Sequence, residues 1–187
     1  MDTLTDAAPA DIPVDDRTPP TGPEDLYRRF AELGIEVSVH EHEPLFTVED
    51  SKHLRGLLPG GHCKNLFLRD KKGRPWLIVC DEDRKVDLKA LAPRLGAGRF
   101  SFGSPERLWS TLGVRPGSVT PFALINDPEA AVTVILDAGM MAANETLHYH
   151  PLVNHITCAI NREDLVRFIK ACGHDPKIVD LDEAAAG

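Results

Sequence analysis

Lys64-Asn65-Leu66-Phe67-Leu68-Arg69, then Asp70-Lys71-Lys72-Gly73-Arg74-Pro75, then Trp76-Leu77-Ile78-Val79-Cys80: the fold class turns on how this stretch is read. The outer runs are short and rich in aliphatic and aromatic side chains, and the loop between them carries glycine. That combination predicts two antiparallel strands joined as a hairpin. Lys64 is then expected at the start of a strand that leaves the Pro59-Gly60-Gly61 turn, with its ammonium near the end of the sheet.

Working outward, Pro23 to Leu33 sets Leu26, Phe30 and Leu33 on one face and stops at Gly34, which predicts a helix. Ile35 to His40 alternates apolar and polar residues like a half-buried strand. Thr47 to Asp50 has the spacing of a capping box and predicts a short helix through Leu54. Leu88 to Leu95 and Pro105 to Leu112 read as helices closed by Gly96 and Gly113. Strands are expected at Phe122–Ile125, Val132–Leu136 and Ile156–Ile160, and a last helix at Glu163–Ala171 with Leu165, Phe168 and Ile169 inward. Strands and helices do not alternate as βαβ units do, so the expected class is α+β, a single domain with a mixed, mainly antiparallel sheet flanked by helices.

Residues 1–22 are rich in Asp, Pro, Thr and Ala with few large apolar side chains, and are expected to form a disordered tail. The domain is expected over 23–175 and a C-terminal tail over 176–187. Of the chain's 187 residues, 42% are hydrophobic and 27% charged, which suits one domain with a real core. No apolar run reaches the ~20 residues of a membrane span, and the first residues lack the basic and apolar parts of a signal peptide. A cytoplasmic protein with no membrane partner is the expectation. Cys63, Cys80, Cys158 and Cys172 form no C-x-x-C pair, which disfavours both a disulfide framework and a zinc knuckle.

The net charge of -8 is unevenly spread. Residues 1–63 carry 13 acids and 5 bases, whereas 64–187 carry 16 of each. Within 64–99, ten bases meet five acids, a local surplus suited either to a phosphate backbone or to a solvated mixed face.

Three segments concentrate residues useful to a site. In Gly60–Arg69, Lys64 beside Asn65 can meet a phosphate or an ester at a sheet end, although most such lysines only snorkel at the surface. In Gly117-Ser118-Val119-Thr120-Pro121-Phe122, glycine and proline fix a loop whose N–H groups can hold an oxyanion, or simply form a turn into the next element. In His148-Tyr149-His150-Pro151-Leu152-Val153-Asn154-His155, two histidines share a strand face, but no acid or cysteine stands at a matching spacing, so no metal is expected. Nucleophile-elbow, P-loop and dinucleotide-binding motifs are missing, which disfavours serine hydrolases, NTPases and nucleotide-cofactor enzymes.

Taken in order, Gly61–Leu68, Leu91–Phe102 with Ser104–Leu108, Gly117–Pro121 and His150–Asn154 resemble the YbaK and prolyl-tRNA synthetase-associated editing domains. The form of Gly117–Asp127 looks most like the freestanding alanyl-tRNA(Pro) deacylases. The resemblance implies hydrolysis of mischarged Ala-tRNA(Pro) in trans, without metal or cofactor, by a water that backbone groups and the substrate's ribose hydroxyl position. It implies that Lys64 holds the 3′-terminal nucleotide, that Asn65 and the Gly117–Pro121 loop (Gly117, Ser118, Val119, Thr120, Pro121) surround the aminoacyl group, that His150 closes the site, and that Arg99 contacts RNA. Val119, Phe122 and Leu152 are the expected walls of a pocket that admits a methyl group and rejects a proline ring. Cys63 is the covalent rival, expected instead to pack on the face opposite Lys64. The expected partner is the 3′ end of aminoacylated tRNA(Pro), not DNA, with prolyl-tRNA synthetase and elongation factor as possible company. The alternatives are a deacylase for cysteinyl- or another small aminoacyl-tRNA, and a nucleic-acid-binding module without catalysis.

Overall fold

The computed structural model describes residues 16–44 and 48–182. Along them run α1 (Pro23–Glu32), β1 (Val37–Glu41), α2 (Val48–Arg55), β2 (Gly61–Arg69), β3 (Pro75–Asp81), α3 (Leu88–Arg94), β4 (Ser101–Phe102), α4 (Pro105–Leu112), a 3-10 helix (Pro121–Asn126), β5 (Thr133–Asp137), α5 (Ala138–Ala143), β6 (Thr146–Tyr149), β7 (Ile156–Asn161), α6 (Arg162–Ala171) and β8 (Lys177–Val179). The strands form one mixed sheet in the order β1-β7-β6-β2-β3-β5-β8. The central hairpin is antiparallel, with Lys64 opposite Cys80 and Arg69 opposite Pro75. Pairing is also antiparallel at β1–β7, β6–β7 and β2–β4, and parallel at β2–β6, β3–β5 and β5–β8. This is the expected α+β architecture. Strand β6 flanks β2 at Gly61 and His62, and β4 flanks it at Leu68 and Arg69, so the two ends of β2 have different neighbours.

Side chains alternate along the hairpin and split the core in two. Phe67, Leu77 and Val79 enter the larger core, where Phe30 meets Phe122 and Phe168 edge-to-face at 5.1 Å each. Leu68, Trp76 and Ile78 enter the smaller one, beneath Leu91 and Ala92 of α3. Each large side chain so buried contributes about 1.5–3 kcal/mol, which is what holds the helices onto the sheet.

Four expectations need correction. The run Phe122–Ile125 is not a strand but part of the 3-10 helix, because Pro121 presets its first turn and the Thr120 hydroxyl accepts from the Phe122 N–H at 3.2 Å. Strand β2 opens at Gly61, so Lys64 is its fourth residue and lies inside the sheet. Gly61 is required there, since a Cβ would sit 2.6 Å from the Asn144 side chain. Residues 177–179 of the expected C-terminal tail form β8 on β5, where parallel pairing rewards their extended backbone. Residues 16–22 of the expected disordered tail are packed on α4 and its surroundings through Arg17–Glu106 and Thr21–Asn126 contacts at 3.0 and 2.8 Å. The expected cap at Thr47, and residues 1–15 and 183–187, lie outside the described residues.

Candidate active site

Where β2 begins against β6, the Cα atoms of His62 and His148 stand opposite each other and their rings stack at 4.5 Å. Beside them Cys63, Asn65, Tyr149, His150, Thr157 and Leu54 line a small cavity of about 40 Å³. Alternation sets Cys63 and Asn65 on the face of β2 opposite His62, so the cavity draws on both faces of the sheet here, and the Cys63 sulfur lies 3.5 Å from Met140 Sδ. Burial pushes the Cys63 thiol up to about 12, so it stays protonated near neutrality and is a poor nucleophile.

The histidines have fixed proton positions because their partners are carbonyls, which only accept. His150 Nδ1 donates to the Ile156 carbonyl at 2.9 Å, and His148 Nε2 donates to that of Pro59 at 2.8 Å. Burial lowers the pKa of both rings, and the neutral form of each keeps a lone pair on its other nitrogen. Asn65 Oδ1 and His148 Nδ1 are buried and find no hydrogen-bond partner among the described residues. The small cavity therefore offers acceptors to a ligand that brings donors. Thr157 Oγ1 is tied to His42 Nε2 at 2.7 Å, and His42 Nδ1 donates to the Glu43 carbonyl at 2.7 Å, which fixes the direction of this second relay.

A second cavity of about 450 Å³ is lined in part by residues 152–155, between the His150 and Thr157 that line the first. Its walls include Trp109, Arg115 and Ser118 from one side, Leu152 and Asn154 from the other, and Pro19 of the N-terminal segment. The Arg115 guanidinium lies 5.4 Å from the centre of the Trp109 ring. Two strained or permissive backbones shape the cavity. Gly117 adopts φ 90° in the turn that Ser118 N–H closes on the Arg115 carbonyl, and Leu152 is held at φ 72°. A left-handed leucine costs about 1–2 kcal/mol, and such strain concentrates at functional loops.

The expected site residues divide as follows. Asn65 and His150 line the small cavity, Ser118 and Leu152 line the large one, and Gly117 sits in the loop beside it. Thr120 and Pro121 serve the 3-10 helix as its cap and first residue. Phe122 is fully buried among Phe30, Phe168 and Tyr149, and Val119 packs partly buried against the same core, so neither lines a cavity. Lys64 leaves β2 on the opposite face from Asn65, and its ammonium donates to the Arg84 carbonyl. Arg99 is exposed at the far end of β2, beyond the Arg69–Ser101 pair.

Sequence reading missed His42, His62, Thr157, Trp109 and Arg115 as site residues. The alternation of Cys63 with Asn65 and of His148 with His150 was a usable signal for which side chains within a strand point together, but the meeting of β2, β6 and β7 is a long-range pairing that spacing cannot reveal. Among the described residues, no group of three or more His, Cys, Asp or Glu side chains is placed to hold a metal ion, and no helix is long and apolar enough to cross a membrane.

The family model of the aminoacyl-tRNA editing domain matches residues 42–168, which contain every lining residue of the small cavity. The chain is 37% identical over 154 residues to the prolyl-tRNA editing protein ProX of Acetoanaerobium sticklandii, a match covering 82% of this chain and 93% of that protein. It is 39% identical over 165 residues to the prolyl-tRNA synthetase associated domain-containing protein 1 of Danio rerio, covering 86% and 90%. Its fold is shared with a solved structure described as a candidate trans-editing enzyme for prolyl tRNA synthetase, with a TM-score of 0.65, 17% identity, and coverage of 84% of this chain and 96% of that one.

Proposed function

This chain belongs to the aminoacyl-tRNA editing domain family, and from that premise we propose that it hydrolyses alanyl-tRNA(Pro) in trans. The observation that carries the choice of alanine is the small cavity. At about 40 Å³ it suits a methyl group or an ammonium, and a pyrrolidine ring overfills it. A synthetic site built for proline cannot exclude the smaller alanine, since a lost methylene costs only about 1–3 kcal/mol of discrimination, and a smaller second sieve answers that need. The name of the Acetoanaerobium relative supports proline as the cognate amino acid of the tRNA.

In this reading the α-ammonium of the aminoacyl group donates to Asn65 Oδ1 and His148 Nδ1, the two buried acceptors. The terminal nucleoside occupies the large cavity, whose volume falls in the usual range for such ligands and whose Trp109 ring offers a stacking face. The ester then lies at the 150–157 segment between the two. His150 Nε2, with its lone pair kept free by the Nδ1 hydrogen bond, orients a water for addition to the ester carbonyl. N–H groups of the Gly117–Thr120 loop other than that of Ser118, which closes the turn, stabilise the oxyanion. His150 Nε2 takes the proton that the water gives up on addition, and collapse breaks the C–O bond to the ribose oxygen, which receives that proton from His150 as alanine leaves. An aminoacyl ester is already activated, so positioning suffices without a metal, a cofactor or the Cys63 thiol. The proposed place of action is the cytoplasm, with prolyl-tRNA synthetase and elongation factor as possible company.

The test is the deacylation rate of alanyl-, prolyl- and cysteinyl-tRNA(Pro) by the wild type and by Asn65→Ala and His150→Ala. Rapid loss of alanine with proline spared, and a fall of about 100-fold in both variants, is the expected result. Loss of cysteine alone would change the substrate, and retention of tRNA without hydrolysis of any ester would leave a binding module.

A further inference from the structure

The relay from Glu43 through His42 ends at Thr157, on the wall of the small cavity, and hydrolysis as described above makes no use of it. Strand pairing builds it. β1 runs antiparallel to β7 with His40 opposite Thr157, and His42, two residues on, shares the face of His40 and donates its N–H to the His155 carbonyl at 2.9 Å. On the other side of β7, Tyr149 stands opposite Cys158, so one further step of that register brings His150 beside Thr157. Thr157 is thus set between two histidines whose ring centres are 6.1 Å apart.

Counting protons gives the relay a direction. The Glu43 carbonyl can only accept, so His42 carries its proton on Nδ1, and Nε2 of the neutral ring must accept from the Thr157 hydroxyl at 2.7 Å. That hydroxyl has one hydrogen and has given it away from the cavity. Its two lone pairs remain, on a β-branched side chain that is stiff at χ1 and only 4% exposed. A buried hydroxyl needs one partner to be satisfied; the relay does more, because it makes Thr157 Oγ1 an acceptor to whatever lies beside it. His150 Nε2 is an acceptor for the same reason, its Nδ1 proton being held by the Ile156 carbonyl at 2.9 Å.

Two neighbouring acceptors match the two O–H bonds of a water. A water that donates to His150 Nε2 alone still turns about that bond, whereas one that donates to both has its lone pairs directed away from them, toward the ester. We propose that Thr157 Oγ1 accepts the second O–H of the hydrolytic water and that His42 is the positioning residue that keeps it an acceptor, an assignment that rests on the editing function proposed above. No bond change is added: the water still loses its proton to His150 Nε2, and Thr157 keeps its own proton on the bond to His42.

The experiment follows steady-state deacylation of alanyl-tRNA(Pro) by the full chain, with a thermal melt of every variant. Thr157→Val keeps the shape of the side chain and removes the acceptor, and should lower kcat about tenfold with KM nearly unchanged. Thr157→Ser, which keeps the hydroxyl, should recover most of that loss. His42→Ala lets the hydroxyl turn its hydrogen into the cavity and should lower kcat about threefold. Combined with Thr157→Val it should lower kcat no further, since no acceptor is left to orient. A raised KM at constant kcat would put Thr157 on the bound aminoacyl group and overturn the proposal, as would additive losses in the double variant or an unchanged kcat in Thr157→Val. If Thr157→Val does not fold, His42→Ala decides, and an unchanged kcat there overturns the relay. A wild type that hydrolyses no ester sinks the editing reading and the relay together, whereas one that hydrolyses while Thr157→Val keeps its kcat sinks the relay alone.

Discussion

Lys64 and Asn65 are neighbours in the chain and opposites in space, and pleating alone separates them. Asn65 reaches the small cavity, whereas Lys64 reaches across the other face to the Arg84 carbonyl. Arg84 in turn approaches the buried Asp137 at 3.6 Å and Asp182 at 2.8 Å. Asp137 caps α5 by accepting from Met140 N–H at 3.2 Å, and Met140 is the residue packed beneath Cys63. Lys64 thus supports the floor of the cavity from behind. Lys64→Ala should therefore cost about 1 kcal/mol of stability, as a lost hydrogen bond does, and lower deacylation less than tenfold. Thermal melts alongside the alanyl-tRNA(Pro) assay check this, with Asn65→Ala as the contrast that loses turnover and keeps its melting temperature. A loss as large as that of Asn65→Ala at an unchanged melting temperature would put Lys64 on the substrate instead.

The hairpin that the sequence announces most clearly is pinned by a single carboxylate that its pattern does not announce. Asp70 accepts from Lys72 N–H, Arg74 N–H, Arg74 Nε and the Trp76 indole at 2.8, 2.9, 2.7 and 3.1 Å. Burial works to raise its pKa, but these donors outweigh it and hold the carboxyl down at about 2. A carboxyl with a folded pKa below its usual 3.8 binds fewer protons than in the unfolded chain, so its stabilisation is full above about pH 4 and disappears as pH falls through 2. Asp70→Ala should cost about 2–3 kcal/mol at pH 7, because buried N–H groups lose a charged acceptor. The gap between the mutant's and the wild type's melting temperatures should shrink toward pH 2. Elements legible in the sequence were those with local signals: α1, α3, α4 and α6 by period and cap, and the hairpin by its turn. The 3-10 helix at Pro121–Asn126 was not, because a short apolar run buried on all sides has the same pattern as a core strand, and the Thr120 cap decided between them. Strands β4 and β8, of two and three residues, exist through their partners and carry almost no signal of their own.

At the scale of the molecule, the same long-range logic gathers the site. Residues from β2, β6, β7 and the loop after β6 meet only because β6 lies between β2 and β7, a sheet order that no spacing in the chain encodes. The N-terminal segment adds a piece from farther away. Its composition is that of a tail, yet Arg17 bridges to Glu106, its carbonyl accepts from the Arg115 guanidinium, Thr21 bonds Asn126, and Pro19 forms part of the wall of the large cavity. Few of these contacts are apolar, which is why hydrophobic content did not reveal the packing. Arg115 also faces Trp109, so the segment helps fix the ring proposed to stack on the terminal nucleoside. A chain beginning at Gly22 would lose all of these anchors and keep every residue of the small cavity. It should be destabilised by about 1–2 kcal/mol, since the lost ion pair and hydrogen bonds are only partly buried. Its KM for alanyl-tRNA(Pro) should rise several-fold with kcat nearly unchanged, because ground-state binding of the nucleoside is lost and the reacting atoms are untouched. Steady-state kinetics on the truncated and full chains decide the matter. A fall in kcat at constant KM would instead tie the segment to the geometry of the ester, and identical kinetics with identical melting would reduce it to a passive cover.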